Sequence, residues 1–140
     1  MTISAEEFKA KLLTLGLGEG WEWNNGSWWK NLESADVRSH AALMLMTGAR
    51  FVAITAIERA DKEIRLDYQW DLEGQLLSFT TATEAQHIAT IADLSPAADW
   101  VERETHEYFS VEFTGRAHTK PLMTRPGDPL GINLHKEVAQ

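Results

Sequence analysis

Apolar and polar positions repeat with two periods along this chain. Phe8, Leu12 and Leu15 recur at helical spacing behind Ser4-Ala5-Glu6-Glu7, which has the form of a capping box. This predicts a first helix from Ala5 to Leu15, ended by Gly16 and Gly18. A second helical stripe, Val37, Ala41, Met44 and Leu45, follows Ser34 as N-cap and runs to Thr47 before Gly48. The period then changes. Phe51 to Ile57 is a nearly continuous apolar run, and Ile64, Leu66, Tyr68, Trp70 and Leu72 alternate with polar residues. That is the signature of a half-buried strand. Glu73-Gly74 turns the chain into a further strand from Leu76 to Thr81. The links are too short for parallel crossovers, so these three strands predict an antiparallel meander. Earlier, Asn25-Gly26 sits between Trp21, Trp23 and Trp28, Trp29 and predicts a hairpin, since both turn residues tolerate positive φ. Residues 83–94 fit a loop or a short helix. Ser95-Pro96 reads as N-cap and first residue of a third helix to Phe109. On it Trp100, Glu104, Glu107, Tyr108 and Val111 are spaced to share one side.

These elements give an α+β fold, a two-layer domain with a central antiparallel sheet and helices packed on it. The 140 residues allow one core, and the expected division is a single domain over 1–122 with an extended tail over 123–140. Pro126, Pro129, Gly127 and Gly131 rule out a long helix in that tail, while Leu130, Ile132 and Leu134 place apolar side chains at alternate positions. Such a segment suits lying along another protein's surface, or folding back on its own sheet.

Charge and composition narrow the function. There are 13 basic against 21 acidic side chains and a formal net charge of −8, which disfavours nucleic acid and anionic membrane surfaces as partners. The longest apolar run, Ala41 to Met46, is far short of the ~20 residues that cross a bilayer, and the first fifteen residues have no signal-type apolar segment. A cytoplasmic setting is expected. Cysteine is absent, so this chain supplies no thiolate nucleophile and no Cys-ligated cluster. No cofactor is expected.

The densest polar cluster is Glu102-Arg103-Glu104-Thr105-His106-Glu107. Acid–base chemistry, a metal site or a small metal-dependent hydrolase using Glu102, Glu104 and His106 would need ligand spacing such as His-Glu-x-x-His, which is missing. The plainer reading is a partly solvated helix face with Glu102–His106 and Arg103–Glu107 pairs. Between them lies a protein interface, since the same helix carries Trp100, Tyr108 and Phe109. The four tryptophans near the hairpin are either exposed stacking anchors for a ligand or alternate members of the core. His40, His87, His118 and His135 are scattered and read as surface residues. Gly16-Leu17-Gly18-Glu19-Gly20 lacks phosphate-loop spacing and reads as a helix terminator.

The segment from Ala92 to Phe109, containing Ser95-Pro96-Ala97-Ala98-Asp99-Trp100-Val101-Glu102-Arg103-Glu104 and then Glu107, Tyr108, Phe109, Val111, Phe113 and Gly115, resembles the 30 kDa subunit of respiratory-chain NADH dehydrogenase, complex I. The same family recurs in energy-converting [NiFe] hydrogenases. Ser110 stands where the family usually has Gly, and Arg116 where it usually has His. Lys120-Pro121-Leu122-Met123 occupies the place of a basic residue and an apolar pair. These departures point to a divergent, hydrogenase-type branch. The resemblance spans roughly Ala41 to Met123.

The resemblance implies a non-catalytic accessory or assembly subunit without a cofactor of its own. Its partners would be the large subunit of a hydrogenase or complex I type and neighbouring iron–sulfur subunits. It would lie peripheral to the inner membrane through that complex. The implied interface residues are Trp100, Glu102, Arg103, Glu104, Glu107, Tyr108, Phe109 and Gly115. The rival from another class is a stand-alone ligand-binding module built on the tryptophan hairpin.

Overall fold

The computed structural model describes residues 4–117 and 121–134; His118, Lys120 and His135 fall outside them. The first helix, α1 (Ala5–Thr14), opens with the expected capping box: the Glu7 N–H donates to Ser4 Oγ at 3.2 Å and the Ser4 N–H to the Glu7 carboxylate at 3.3 Å. It buries Phe8 and Leu12. The hairpin follows as β1 (Glu22–Asn24) and β2 (Ser27–Asn31), joined by Asn25 and Gly26 at φ 50° and 83°. Both central residues are left-handed, as a two-residue turn matched to strand twist requires.

Ser34 does not cap the second helix. It begins a 3-10 turn, Ser34–Asp36, and α2 (Val37–Met46) continues from it without a side-chain cap. The Leu32 N–H is still bonded to the Thr80 carbonyl at 2.8 Å. The chain must therefore leave the sheet sharply, and the tighter helix makes that turn.

The three longer strands, β3 (Arg50–Glu58), β4 (Ile64–Leu72) and β5 (Gln75–Ala82), form the antiparallel meander. The five-stranded sheet has the order β1-β2-β5-β4-β3. The central meander is antiparallel as expected, and β2 extends it at the β5 edge in parallel, with Trp28 opposite Leu77. The chain between them, with α2 and the first two strands of the meander, makes the crossover that a parallel pair needs. Residues 83–94 contain neither a helix nor only a loop. They hold β6 (His87–Ala89), which pairs in parallel with β7 (Glu112–Thr114). The third helix, α3 (Ala98–Phe109), starts two residues later than Ser95-Pro96 predicts. The Ala98 and Asp99 N–H groups bond to Ser95 and Pro96 carbonyls at 2.9 and 3.1 Å, so that stretch is a tight turn leading into the helix.

The period-two residues of β4 all point to the core: Ile64, Leu66, Tyr68, Trp70 and Leu72 are buried. They meet Leu77 and Phe79 of β5, Trp28 of β2, and Phe8, Leu12, Val37, Ala41 and Met44 of the first two helices. Tyr68 stacks on Phe79 at 5.0 Å. Large buried aromatics of this kind contribute about 2–3 kcal/mol each by area alone. His40 is corrected from a surface residue to a core one. It faces the sheet from α2, between Trp21 (5.9 Å) and Phe79 (5.0 Å).

Candidate functional site

Helix α3 carries the cluster that the sequence singles out, and the fold divides it. Ala98, Glu102 and Thr105 recur at i, i+4 and i+7 and are buried. Glu102 is 0% exposed. A buried carboxylate must find donors, and it has three kinds. Thr90 Oγ1 donates at 2.5 Å, the Ile91 N–H at 2.8 Å and Arg116 Nη1 at 3.2 Å. Burial raises the Glu102 pKa, with the hydrogen bonds from Ile91, Thr90 and Arg116 acting against it. Arg116 also pairs with Asp99. Arg38 of α2 donates to the Thr90 carbonyl at 2.7 Å and to Asp93 at 2.6 and 3.0 Å. One polar network thus ties α2, the 90–93 segment, α3 and the turn after β7 together.

Gly115 belongs to this network by its shape. It sits at φ 90°, and a Cβ there would stand 3.4 Å from the Thr90 methyl. A side chain would strain the turn and press on the residue that donates to Glu102.

The stripe Trp100, Glu104, Glu107 is covered at one end only. Trp100 is 65% exposed and Glu104 is exposed, whereas Glu107 is 4% exposed. Residues 122–124 lie over it. Its carboxylate accepts from the Leu122 N–H at 2.5 Å, the Met123 N–H at 3.1 Å and the Thr124 hydroxyl at 3.0 Å. Burial opposes the charge, but the donors of Met123, Leu122 and Thr124 together hold the Glu107 carboxyl below its ordinary range.

The expectation of a solvated face with Glu102–His106 and Arg103–Glu107 pairs is therefore corrected. Glu102 and Glu107 are taken by donors from other segments. Arg103 reaches Asp99 at 3.9 Å, and His106 Nδ1 lies 2.9 Å from the Val111 carbonyl and 3.6 Å from Glu112.

Tyr108 and Phe109 line a cleft of about 200 Å3 between α3 and β3, with Glu104, Val101, Ile54 and Ala56 among its walls. The helix ends at Ser110, whose left-handed backbone (φ 56°, ψ 35°) explains why glycine suits that position. Sequence pattern does not single out Thr90, Asp99, Arg38 and Arg116 as a network, because the partners lie far apart along the chain. The lone arginine after Gly115 is the available signal for a buried acid's partner. Among the described residues, no group of three or more His, Asp or Glu side chains is placed to hold a metal ion, and no helix is long and apolar enough to cross a membrane.

The tryptophan hairpin loses its premise as a stacking platform. Trp21 and Trp28 are core residues, with Trp28 5.4 Å from Phe8, and Trp23 is 52% exposed.

Comparison with known proteins agrees with this architecture. The C subunit of NADH-quinone oxidoreductase from Rhodopseudomonas palustris (strain BisB18) is 28% identical over 86 residues, 56% of this chain and 43% of the relative. The J subunit of NAD(P)H-quinone oxidoreductase from Prochlorococcus marinus (strain MIT 9303) is 35% identical over 68 residues, 49% of this chain and 36% of the relative. The chain thus spans less than half the length of these curated relatives. Among solved structures, a chain of an archaeal membrane-bound sulfane sulfur reductase superposes with TM-score 0.72 at 23% identity, covering 91% of this chain and 79% of that one. The trypsin-resistant fragment of Nqo5 gives TM-score 0.61 at 19% identity, covering 82% and 97%. Both likenesses concern the fold. Residues 32–138 match the family described as respiratory-chain NADH dehydrogenase, 30 Kd subunit, and the chain belongs to that family.

Proposed function

We propose that this chain is a non-catalytic accessory subunit of a complex I-related oxidoreductase, of NADH dehydrogenase or hydrogenase type. It docks on the large subunit and is peripheral to the membrane through the complex. The observation that carries this reading is Trp100. A large aromatic on the family's own motif helix is 65% exposed, beside the exposed carboxylate of Glu104, while the neighbouring acids are committed to internal donors. Exposed tryptophan at the centre of a polar patch is a favoured kind of interface anchor. In this reading Glu102, Glu107 and Gly115 shape the helix and its surroundings, and Trp100, Arg103, Glu104, Tyr108 and Phe109 meet the partner.

The test is Trp100→Ala in the complete chain, co-expressed with the large subunit of the same organism. The expected outcome is an unchanged thermal midpoint and association weakened by about 2 kcal/mol, roughly thirtyfold. Unimpaired association in the variant sinks the docking assignment.

A further inference from the structure

We propose that the cleft where β2 leaves β5 binds a small molecule through a single oxyanion group, a carboxylate or a phosphate, held by Arg65 and Arg59. This inference is independent of the accessory-subunit reading above.

The cleft exists because β2 ends early. Its last paired residue is Asn31, opposite Thr80, whereas β5 runs on to Ala82 beside β4. The departing chain and the end of β5 border a space of about 520 Å3, within the range of small-molecule sites. Alternate residues of an antiparallel strand bond to opposite sides. The Thr83 N–H goes to the Ile64 carbonyl of β4 at 2.9 Å, so the Ala82 N–H points to the side that β2 has left. It is one donor for an oxyanion.

The arginines supply the charge, and both line the cleft. Arg65, opposite Ala82 in the register, is already oriented. Its Nε and Nη2 donate to Asp67 at 3.0 and 3.1 Å. Asp67 is 4% exposed and is held in turn by the Thr80 hydroxyl at 2.8 Å. These bonds occupy one edge of the planar fork, and the edge carrying Nη1 has no partner among the described residues. Such an edge matches a carboxylate or phosphate through two parallel N–H bonds. Arg59 stands 3.4 Å from Asp61 in an exposed pair, a kind that is weak and easily exchanged.

A third observation points the same way. Thr81 also lines the cleft, is 3% exposed, and its hydroxyl has no hydrogen-bond partner among the described residues. A buried hydroxyl without an acceptor destabilises the fold that contains it, and an oxyanion accepts from it. The exposed carboxylates of Glu33 and Glu84 stand in the same wall. They repel a polyanion, so the remainder of the ligand is neutral or cationic.

The test is a titration of the isotope-labelled full chain with sodium phosphate and, separately, with sodium acetate, read from amide chemical shifts. Sodium chloride holds the ionic strength constant. Saturable shifts at residues 31–34 and 80–84 are expected, and the probe that binds more tightly names the ligand's group. Arg59→Gln should weaken binding about tenfold, the worth of one charge-assisted contact. Arg65→Lys keeps a cation beside Asp67 but loses the fork, and should weaken binding at least as much. Thr81→Val should weaken it several-fold without lowering the thermal midpoint, and serves if an arginine variant fails to fold. Shifts that do not saturate, or that fall outside the two segments, overturn the site. So does an affinity unchanged in all three variants. Citrate bound more tightly than acetate overturns the single-group assignment.

Discussion

At Ser110 the backbone is left-handed, φ 56° and ψ 35°, and its N–H closes the last turn of α3 on the His106 carbonyl. An L side chain resists that conformation, and glycine does not. Ser110→Gly should therefore stabilise the chain by about 1 kcal/mol, seen as a higher thermal midpoint with no change in association. A lower midpoint would mean that the serine side chain contributes more than its backbone strain costs. The sequence already marks this position, because the resemblance expects glycine there; what it cannot show is that the backbone keeps the glycine conformation. The acids are less legible. Glu102 and Glu107 look alike on a helix bristling with charge, and a pattern of charges says nothing about donors that arrive from Thr90, Ile91, Arg116 and residues 122–124. Their burial is a tertiary fact, set by segments that carry no periodicity of their own.

Among the elements, the meander and the three helices are readable because each repeats an apolar residue at its own period, and the capping box of α1 fixes its start. The parallel pairing of β2 with β5 is not, since nothing local in Trp28 or Leu77 specifies an unconnected neighbour. The hairpin shows how strand position decides roles, since Trp23 and Trp28 are opposed on one face but only β2 is joined to the rest of the sheet. Trp28 is buried against Phe8, while its cross-strand neighbour Trp23, 5.3 Å away, is half exposed. Trp28→Ala should lower stability by about 3–5 kcal/mol, and Trp23→Ala by no more than about 1 kcal/mol, both from denaturant unfolding. Comparable losses at the two positions would show that the hairpin is a unit of its own rather than a flap on the core.

For the molecule as a whole, the buried histidine sets the acid side of stability. Burial, aided by the charge of Lys30, lowers the His40 pKa from 6.5 to about 4. The unfolded chain therefore binds a proton on this side chain more readily than the folded one between those values. Stability contributed by the neutral ring is present above pH 6.5 and is lost as pH falls toward 4, on the order of 3 kcal/mol in total. Glu107, with its carboxyl held low, loses its contribution only below the ordinary value of 4.5, whereas Glu102, shifted upward, binds its proton more readily in the folded chain above 4.5 and there opposes the loss from His40. Between pH 6.5 and 4.5 the fall in stability from His40 is therefore partly offset by Glu102, and removing His40 isolates its share. His40→Leu should flatten the midpoint-against-pH curve in that window, and an unaltered slope would place the titrating group elsewhere. The parallel pairing also governs how the chain comes into being. Trp28 meets Leu77 across a separation of about 50 residues, which at ribosomal speeds is roughly 2–10 s of further synthesis. Throughout that interval a hairpin with two core tryptophans exists with no sheet to lie on. The hairpin is made well before the strand that completes it, so in that interval its aromatic surface is open to chaperones and to misassembly.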